Sequence, residues 1–169
     1  MARADRRHLA VGKVANSTLV PLVIANPDTA VPSGQARAQV VHGAPDAPAV
    51  SVYVTAPGAD PAGATALGTF SFGEDLGPVE VPAGNYQVRV TLAGNPAAVV
   101  YDAGTVALAS GADLLLVAVA NTTTGPSPIT LLVNDGSTQP ELLDVATTAD
   151  VRAGHLSPDA PAVDEEPEG

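Results

Sequence analysis

The chain has 169 residues, a formal net charge of −11 and no cysteine. Four of its seven basic residues lie within the first 13 positions, so the rest of the chain is strongly acidic and would repel nucleic-acid phosphates. The lack of cysteine excludes disulfides, thiolate metal ligands and cysteine nucleophiles. Abundant Val, with 16 Gly and 16 Pro, favours short β-strands separated by turns.

Apolar strands are predicted along the whole chain. Val50, Val52 and Val54 alternate with polar residues and should share one face of a strand. "DLLLVAVAN" does not alternate, which indicates a central strand with both faces covered. A glycine inside "AAVVYDAGTVAL" indicates a bulge or a kink. The predicted strands of the central region cover residues 38–42, 49–55, 66–72, 78–81, 85–93, 97–108, 113–121, 128–134 and 141–147. Seven to nine such strands predict an all-β fold: an antiparallel two-sheet sandwich of immunoglobulin-like or transthyretin-like type.

Two segments of the sequence repeat. "VVHGAPDAPAV" (residues 40–50) returns as "AGHLSPDAPAV" (residues 153–163), with seven of eleven letters identical. "HLAVGKVANSTLVPLVIAN" near the start resembles "DLLLVAVANTTTGPSPITLLVND" near the end, because both place "VAN" and a proline between two apolar strands. This order predicts tandem repeats of one domain.

The repeats predict the domain organisation. We expect a complete β-sandwich domain over residues 35–147, with the tail of a preceding repeat or a disordered leader at 1–34. The start of a further repeat, with an acidic tail, is expected at 148–169. On this interpretation we expect a gene fragment, a misplaced start or a frame change. Residues 8–26 and 113–135 should then compete for one position in the sandwich, and deletion of residues 1–30 should leave the central domain folded.

The motifs "ARAQVVHGAPDAPAVSVYV" and "VPAGNYQVRV" resemble the DUF4397 family, a domain of unknown function found mainly in exported and cell-surface prokaryotic proteins. The matching motif residues are His42, Pro45, Asp46, Pro48, Val50, Val52 and Tyr53. Ser51 departs from the family pattern, where an acidic residue is common, and Asp164 fills that place in the second copy. The resemblance implies an extracellular or envelope setting and a tandem arrangement, and it implies no reaction.

The histidine and aspartate of the motif are the obvious candidate site. A His and a carboxylate four residues apart suit a metal ligand pair or an acid–base pair. The alternative is structural: the prolines fix a turn, Asp bonds to nearby backbone N–H groups, and His bonds to Asp or to a carbonyl. We favour the structural role for both copies. The motif residues are His42, Pro45, Asp46, Pro48, His155, Pro158, Asp159 and Pro161.

Other candidate features have structural alternatives too. The acidic loops lack the spacing of a calcium site. Asn16 and Asn121 fit the glycosylation pattern but also suit polar hairpin tips. Tyr53, Tyr86 and Tyr101 fit a sugar-binding face or cross-strand packing. No Gly-x-Ser-x-Gly or phosphate-binding glycine loop occurs in the sequence.

The sequence therefore predicts a non-catalytic module, a spacer, scaffold or adhesion-type domain, with no cofactor and no metal. The alternative is a ligand-binding module for carbohydrate or calcium, using acidic loops and exposed tyrosines. The location should be extracellular or in the cell envelope, although residues 1–26 lack the clean apolar core of a signal peptide. Expected partners are neighbouring repeats or cell-surface components, with no nucleic acid and no transmembrane segment.

Overall fold

The computed structural model describes residues 5–15 and 17–148. This part of the chain forms β-strands and one short 3-10 turn, Pro61–Gly63. It contains no helix of the length and apolarity needed to cross a membrane. The strands are β1 (Asp5–Val11), β2 (Val20–Asn26), β3 (Gln35–His42), β4 (Val50–Thr55), β5 (Gly68–Phe70), β6 (Asp75–Pro82), β7 (Gly84–Leu92), β8 (Asn95–Leu108), β9 (Asp113–Ala120), β10 (Ile129–Asn134) and β11 (Glu141–Leu142).

Two sheets form a sandwich, which confirms the predicted fold class. The five-stranded sheet has the order β11-β10-β9-β3-β6, and the four-stranded sheet has the order β5-β4-β7-β8. One pair differs from the antiparallel expectation, because β3 and β9 run parallel. Parallel neighbours require a crossover connection, and here the chain crosses through the second sheet between them.

The inner core lies between the two sheets. Val50 and Val52 on β4 pack there with Val88 and Val90 on β7, as the alternation in the sequence predicts. The core also contains Val40, Ala44, Phe70, Tyr101, Ala118, Ile129 and Leu131. The β4 and β7 strands pair in register, so their valines present one continuous apolar surface to the five-stranded sheet.

The hairpin β1–β2 forms a third layer on the outer face of the five-stranded sheet. Val11 and Ile24 of the hairpin cluster there with Val41, Leu115 and Val117. Strand β9 is therefore covered on both faces, which confirms the prediction from its missing alternation. The expected competition between residues 8–26 and 113–135 is wrong. The latter form β9 and β10 within the sheet, whereas the hairpin covers that sheet from outside.

Polar side chains fix the hairpin on the sheet. Arg37 on β3 is 2% exposed and contacts Glu80 Oε1 at 2.9 Å and Asp113 Oδ2 at 3.4 Å. Asp113 also accepts hydrogen bonds from Arg7 on β1 and Asn26 on β2, each at 3.2 Å. Both strands of the hairpin are thus tied to one carboxylate at the start of β9.

Tyr101 links the two sheets from the middle of the inner core. It lies on β8, is fully buried, and donates a hydrogen bond of 2.7 Å to the carbonyl of Leu142 on β11. Burial, and then the negative charges of Asp144, Asp102 and Glu141, raise the pKa of Tyr101 well above its usual range. The phenol is therefore held in its neutral form.

Ile24→Ala should destabilise the protein by about 2–4 kcal/mol, because Ile24 is 3% exposed at the hairpin–sheet contact. Val23→Ala is the matched control. It removes an apolar side chain from the same strand at a position that is 57% exposed, and should change stability by no more than about 0.5 kcal/mol. Urea unfolding at neutral pH measures both. Equal, small effects of the two variants would mean that the hairpin does not pack on the sheet.

Tyr101 should make the fold sensitive to alkali. The pKa of Tyr101 in the folded protein lies above the unfolded value of about 10. Its contribution to the free energy of unfolding is therefore present below about pH 10 and is lost as the pH rises above that value. Tyr101→Phe should lose about 1 kcal/mol near pH 8 through the missing hydrogen bond. Between about pH 9 and 11, the free energy of unfolding of Tyr101→Phe should then fall less steeply than that of the parent chain. Denaturant unfolding across this range is the measurement, and identical pH slopes would contradict the account.

Candidate functional site at the β3–β4 joint and the adjoining groove

The motif between β3 and β4 forms the predicted turn. The N–H of Ala47 donates to the carbonyl of Ala44 at 3.2 Å, which leaves Pro45 and Asp46 at the central positions. Proline suits the first central position because its ring fixes φ near the value that this turn requires. The turn reverses the chain and passes it from the five-stranded sheet to the four-stranded sheet.

His42 is a buried structural group of this joint. Its side chain has no exposed surface, and Nε2 lies 3.1 Å from the carbonyl oxygen of Pro48. Because a carbonyl only accepts, Nε2 donates this hydrogen bond. Nδ1 is buried and has no hydrogen-bond partner. The ring thus ties the end of β3 to the end of the turn and has no path to solvent.

Asp46 does not pair with His42. Its carboxylate is 58% exposed and contacts Nζ of Lys13, in the connection of the hairpin. The structure contains a turn at Pro45 and Asp46, but it does not form the His–Asp contact that one version of the structural interpretation allowed. Gly43, the first residue of the joint, lies close to the hairpin too. A Cβ there would stand 3.2 Å from Val11 and 3.1 Å from Val117, so a larger residue would crowd both layers.

The second copy of the motif, His155, Pro158, Asp159 and Pro161, lies outside the described residues, as does Asn16. Asn121 is described, at the tip of the β9–β10 hairpin. Its Oδ1 accepts from the N–H of Thr123 at 2.8 Å, and its Nδ2 donates to Ser127 O at 3.0 Å. The side chain thus shapes its own loop, and glycosylation of Asn121 stays a prediction.

Asp102 on β8 is held by side chains of the neighbouring strand. Burial alone would raise its pKa, but this effect is outweighed by hydrogen bonds from Gln87, from Arg89 at 2.8 Å and from the backbone of Gly104. Together with the charge of Arg89 they lower the pKa of Asp102 below its usual range. The carboxylate therefore acts as a fixed acceptor that joins β7 to β8.

Other acidic side chains are similarly engaged in local structure. Asp135 accepts hydrogen bonds from the backbone and hydroxyl groups of Thr138 and Ser137, which lower its pKa well below the usual range. Asp60 accepts from the N–H of Ala62 and begins the 3-10 turn. Within residues 5–15 and 17–148, no group of three or more His, Asp or Glu side chains is arranged to hold a metal ion.

The tyrosines do not form an exposed face. Tyr101 has no exposed surface and Tyr53 is 7% exposed. Tyr86 donates from its hydroxyl to the carbonyl of Pro82, four residues earlier in the chain. The prediction of exposed tyrosines for sugar binding is therefore wrong, because Tyr53 and Tyr101 are both buried.

A groove of about 840 Å³ runs beside the hairpin, a volume within the range of ligand clefts. Its floor is the outer face of β9 and β10, with Leu115, Val117, Val119 and Leu132. Its wall is formed by residues 7–11 of β1 with the following Gly12 and Lys13, and its end is closed by Gly43 and Pro45 of the joint. The groove was not predicted from the sequence. The only signal was the concentration of basic residues in the first 13 positions, two of which, Arg6 and Arg7, lie in the strand that forms its wall.

Comparisons with known proteins agree with the sequence motifs. The model of the family "Domain of unknown function (DUF4397)" matches residues 2–53 and 56–165. No curated protein and no solved structure shows a significant match to the chain. Since the family match covers nearly the whole sequence, joint included, the chain belongs to the DUF4397 family.

Proposed function

We propose that this chain is a non-catalytic β-sandwich module of an exported protein, acting as a spacer, scaffold or adhesion-type domain. The proposal rests on the observation that the side chains able to do acid–base chemistry hold the fold together instead. His42 is fully buried against the Pro48 carbonyl, and Asp102, whose side chain is 19% exposed, is held by Gln87 and Arg89 of the neighbouring strand. Groups that are buried or bonded into the fold in this way are poorly placed to meet a substrate.

The proposed setting is the outside of the cell or its envelope. It rests on the resemblance of the motifs at the β3–β4 joint and the β6–β7 turn to those of exported proteins. The acidic body of the chain suits this setting, because a large net charge of one sign favours solubility. Fractionation of the native host, with a cytoplasmic protein as marker, tests the location.

A second candidate function is ligand binding in the groove beside the hairpin. The groove's volume and apolar floor favour it, whereas the buried tyrosines give no support to a sugar-binding face. Calcium is a poor candidate there, because calcium takes oxygen ligands and the floor of the groove is apolar.

The motif itself provides the test of a non-catalytic role. His42→Ala should destabilise the protein by about 2–4 kcal/mol, through a cavity and an unpaired carbonyl. Asp46→Ala, at an exposed ion pair, should cost at most about 1 kcal/mol. Because the two side chains do not touch, the double variant should be additive to within about 0.5 kcal/mol.

Chromogenic ester, phosphate, peptide and glycoside substrates complete this experiment. We expect no turnover by the parent chain. If the parent chain turns over a substrate, and both His42→Ala and Asp46→Ala abolish that turnover while remaining folded, the two residues form a catalytic pair. This result would contradict the proposal.

A further inference from the structure

Strand β1 has an unpaired edge beside the groove. Among the described residues it pairs only with β2. The groove is lined by residues 7–11 of β1, by Gly12 and Lys13 that follow this strand, and by no residue of β2, so the edge that faces it is the free one. A free edge presents backbone N–H and C=O groups that can bind a further strand.

The partner that this edge lacks can be identified from the rest of the fold. The hairpins β1–β2 and β9–β10 share a geometry: their last pairs are Val11 with Val20 and Ala120 with Ile129, so eight residues (12–19 and 121–128) connect each pair. The other edge of β9 binds β3 in parallel. The hairpin β1–β2 therefore corresponds to β9–β10, but among the described residues no strand lies beside β1 as β3 lies beside β9.

A sequence that resembles β3 occurs at the other end of the chain. Residues 151–163 repeat residues 38–50, including the histidine that ends β3 and the six letters "PDAPAV" that follow it. This segment lies outside the described residues. The chain thus contains one hairpin with an open edge and one additional copy of the sequence that closes that edge in the sandwich.

We propose that residues 149–163 of a second copy of this chain bind as a parallel strand to the free edge of β1, above the apolar floor of the groove. The contact repeats the β3–β9 pairing between molecules. It joins residues 149–163 of one molecule to β1 of the next. It goes beyond the proposed spacer role and does not depend on it.

Geometry favours a second copy over the segment of the same chain. Thr148 is bonded to Thr124, just beyond Thr122 at the end of the groove where β1 ends. A strand parallel to β1 must enter at the opposite end, near Arg7. The seven residues of β1 span roughly 23 Å, whereas the chain from Thr148 to residue 151 reaches only about 10 Å.

The charges of the two ends are complementary. Residues 1–13 contain four basic residues and one acid, a net charge of about +3, whereas residues 149–169 contain six acids and one arginine, a net charge of about −5. Salt screens attraction between charges on separate molecules. The association should therefore weaken as the salt concentration rises.

Contacts that join unlike surfaces close into rings or extend into chains. Each molecule would keep one free hairpin edge and one free C-terminal segment until it meets a partner. The proposed assembly is therefore linear or cyclic, with a size that depends on protein concentration.

Sedimentation velocity of the full chain, over a series of protein concentrations at low and high salt, tests the proposal. We expect a mass that rises above 16.7 kDa with concentration and falls with salt. Gly154 is the counterpart of Val41, which is one of the β3 residues whose N–H groups face β9. Gly154→Pro removes that N–H and should weaken association about tenfold or more, whereas Gly154→Ala retains it and should not. Deletion of residues 149–169 should leave a monomer.

Hydrogen exchange of β1 separates the remaining outcomes. Protection of β1 that rises with protein concentration, and is lost in Gly154→Pro, supports binding by a second copy. If the protein is a monomer in which β1 is protected, and deletion of residues 149–169 removes that protection, the segment folds back on its own chain. That result would overturn the proposal. Association that survives the deletion, or a monomer with an unprotected β1 at every concentration, would overturn it as well.

Discussion

The outer face of the five-stranded sheet is apolar, and the rest of the structure depends on how it is covered. Val41, Leu115 and Val117 lie on this face, and Val11 and Ile24 of the hairpin remove them from water. Burial of apolar surface contributes about 25 cal/mol for each Å². Without the hairpin, the central strand of the sheet would have one exposed apolar face, so the sandwich is one part of a three-layer fold.

Polar contacts give this apolar layer its position. Arg37 is almost fully buried beside Asp113, which also binds Arg7 and Asn26 from the two strands of the hairpin. A buried ion pair contributes little net stability, because desolvation offsets the attraction. Removal of one partner, however, leaves a buried charge without its counter-charge. The cluster therefore acts mainly to exclude other placements of the hairpin on the sheet.

Much of the local structure could be predicted from the sequence. The alternation in β4, the lack of it in β9 and the turn at Pro45 all follow from short-range patterns, and Gly104 adopts φ +64° where the β7–β8 register shifts. The third layer could not be predicted. Similar sequences give β1–β2 and β9–β10 similar hairpins, but their positions depend on long-range packing. The same applies to Asp46, whose partner Lys13 is 33 residues away.

The joint between β3 and β4 belongs to the same three-layer arrangement, since Gly43 and Asp46 meet the hairpin while His42 meets the inner core. Deletion of residues 1–30 tests this arrangement most directly. The sequence alone predicted that this deletion would leave the central domain folded, but Val11 and Ile24 pack on the sheet. We therefore expect the melting temperature to fall by at least about 10 °C, with new binding of a hydrophobic dye to the uncovered sheet. An unchanged melting temperature without dye binding would contradict the account, and would mean that the two-sheet sandwich is complete without its hairpin.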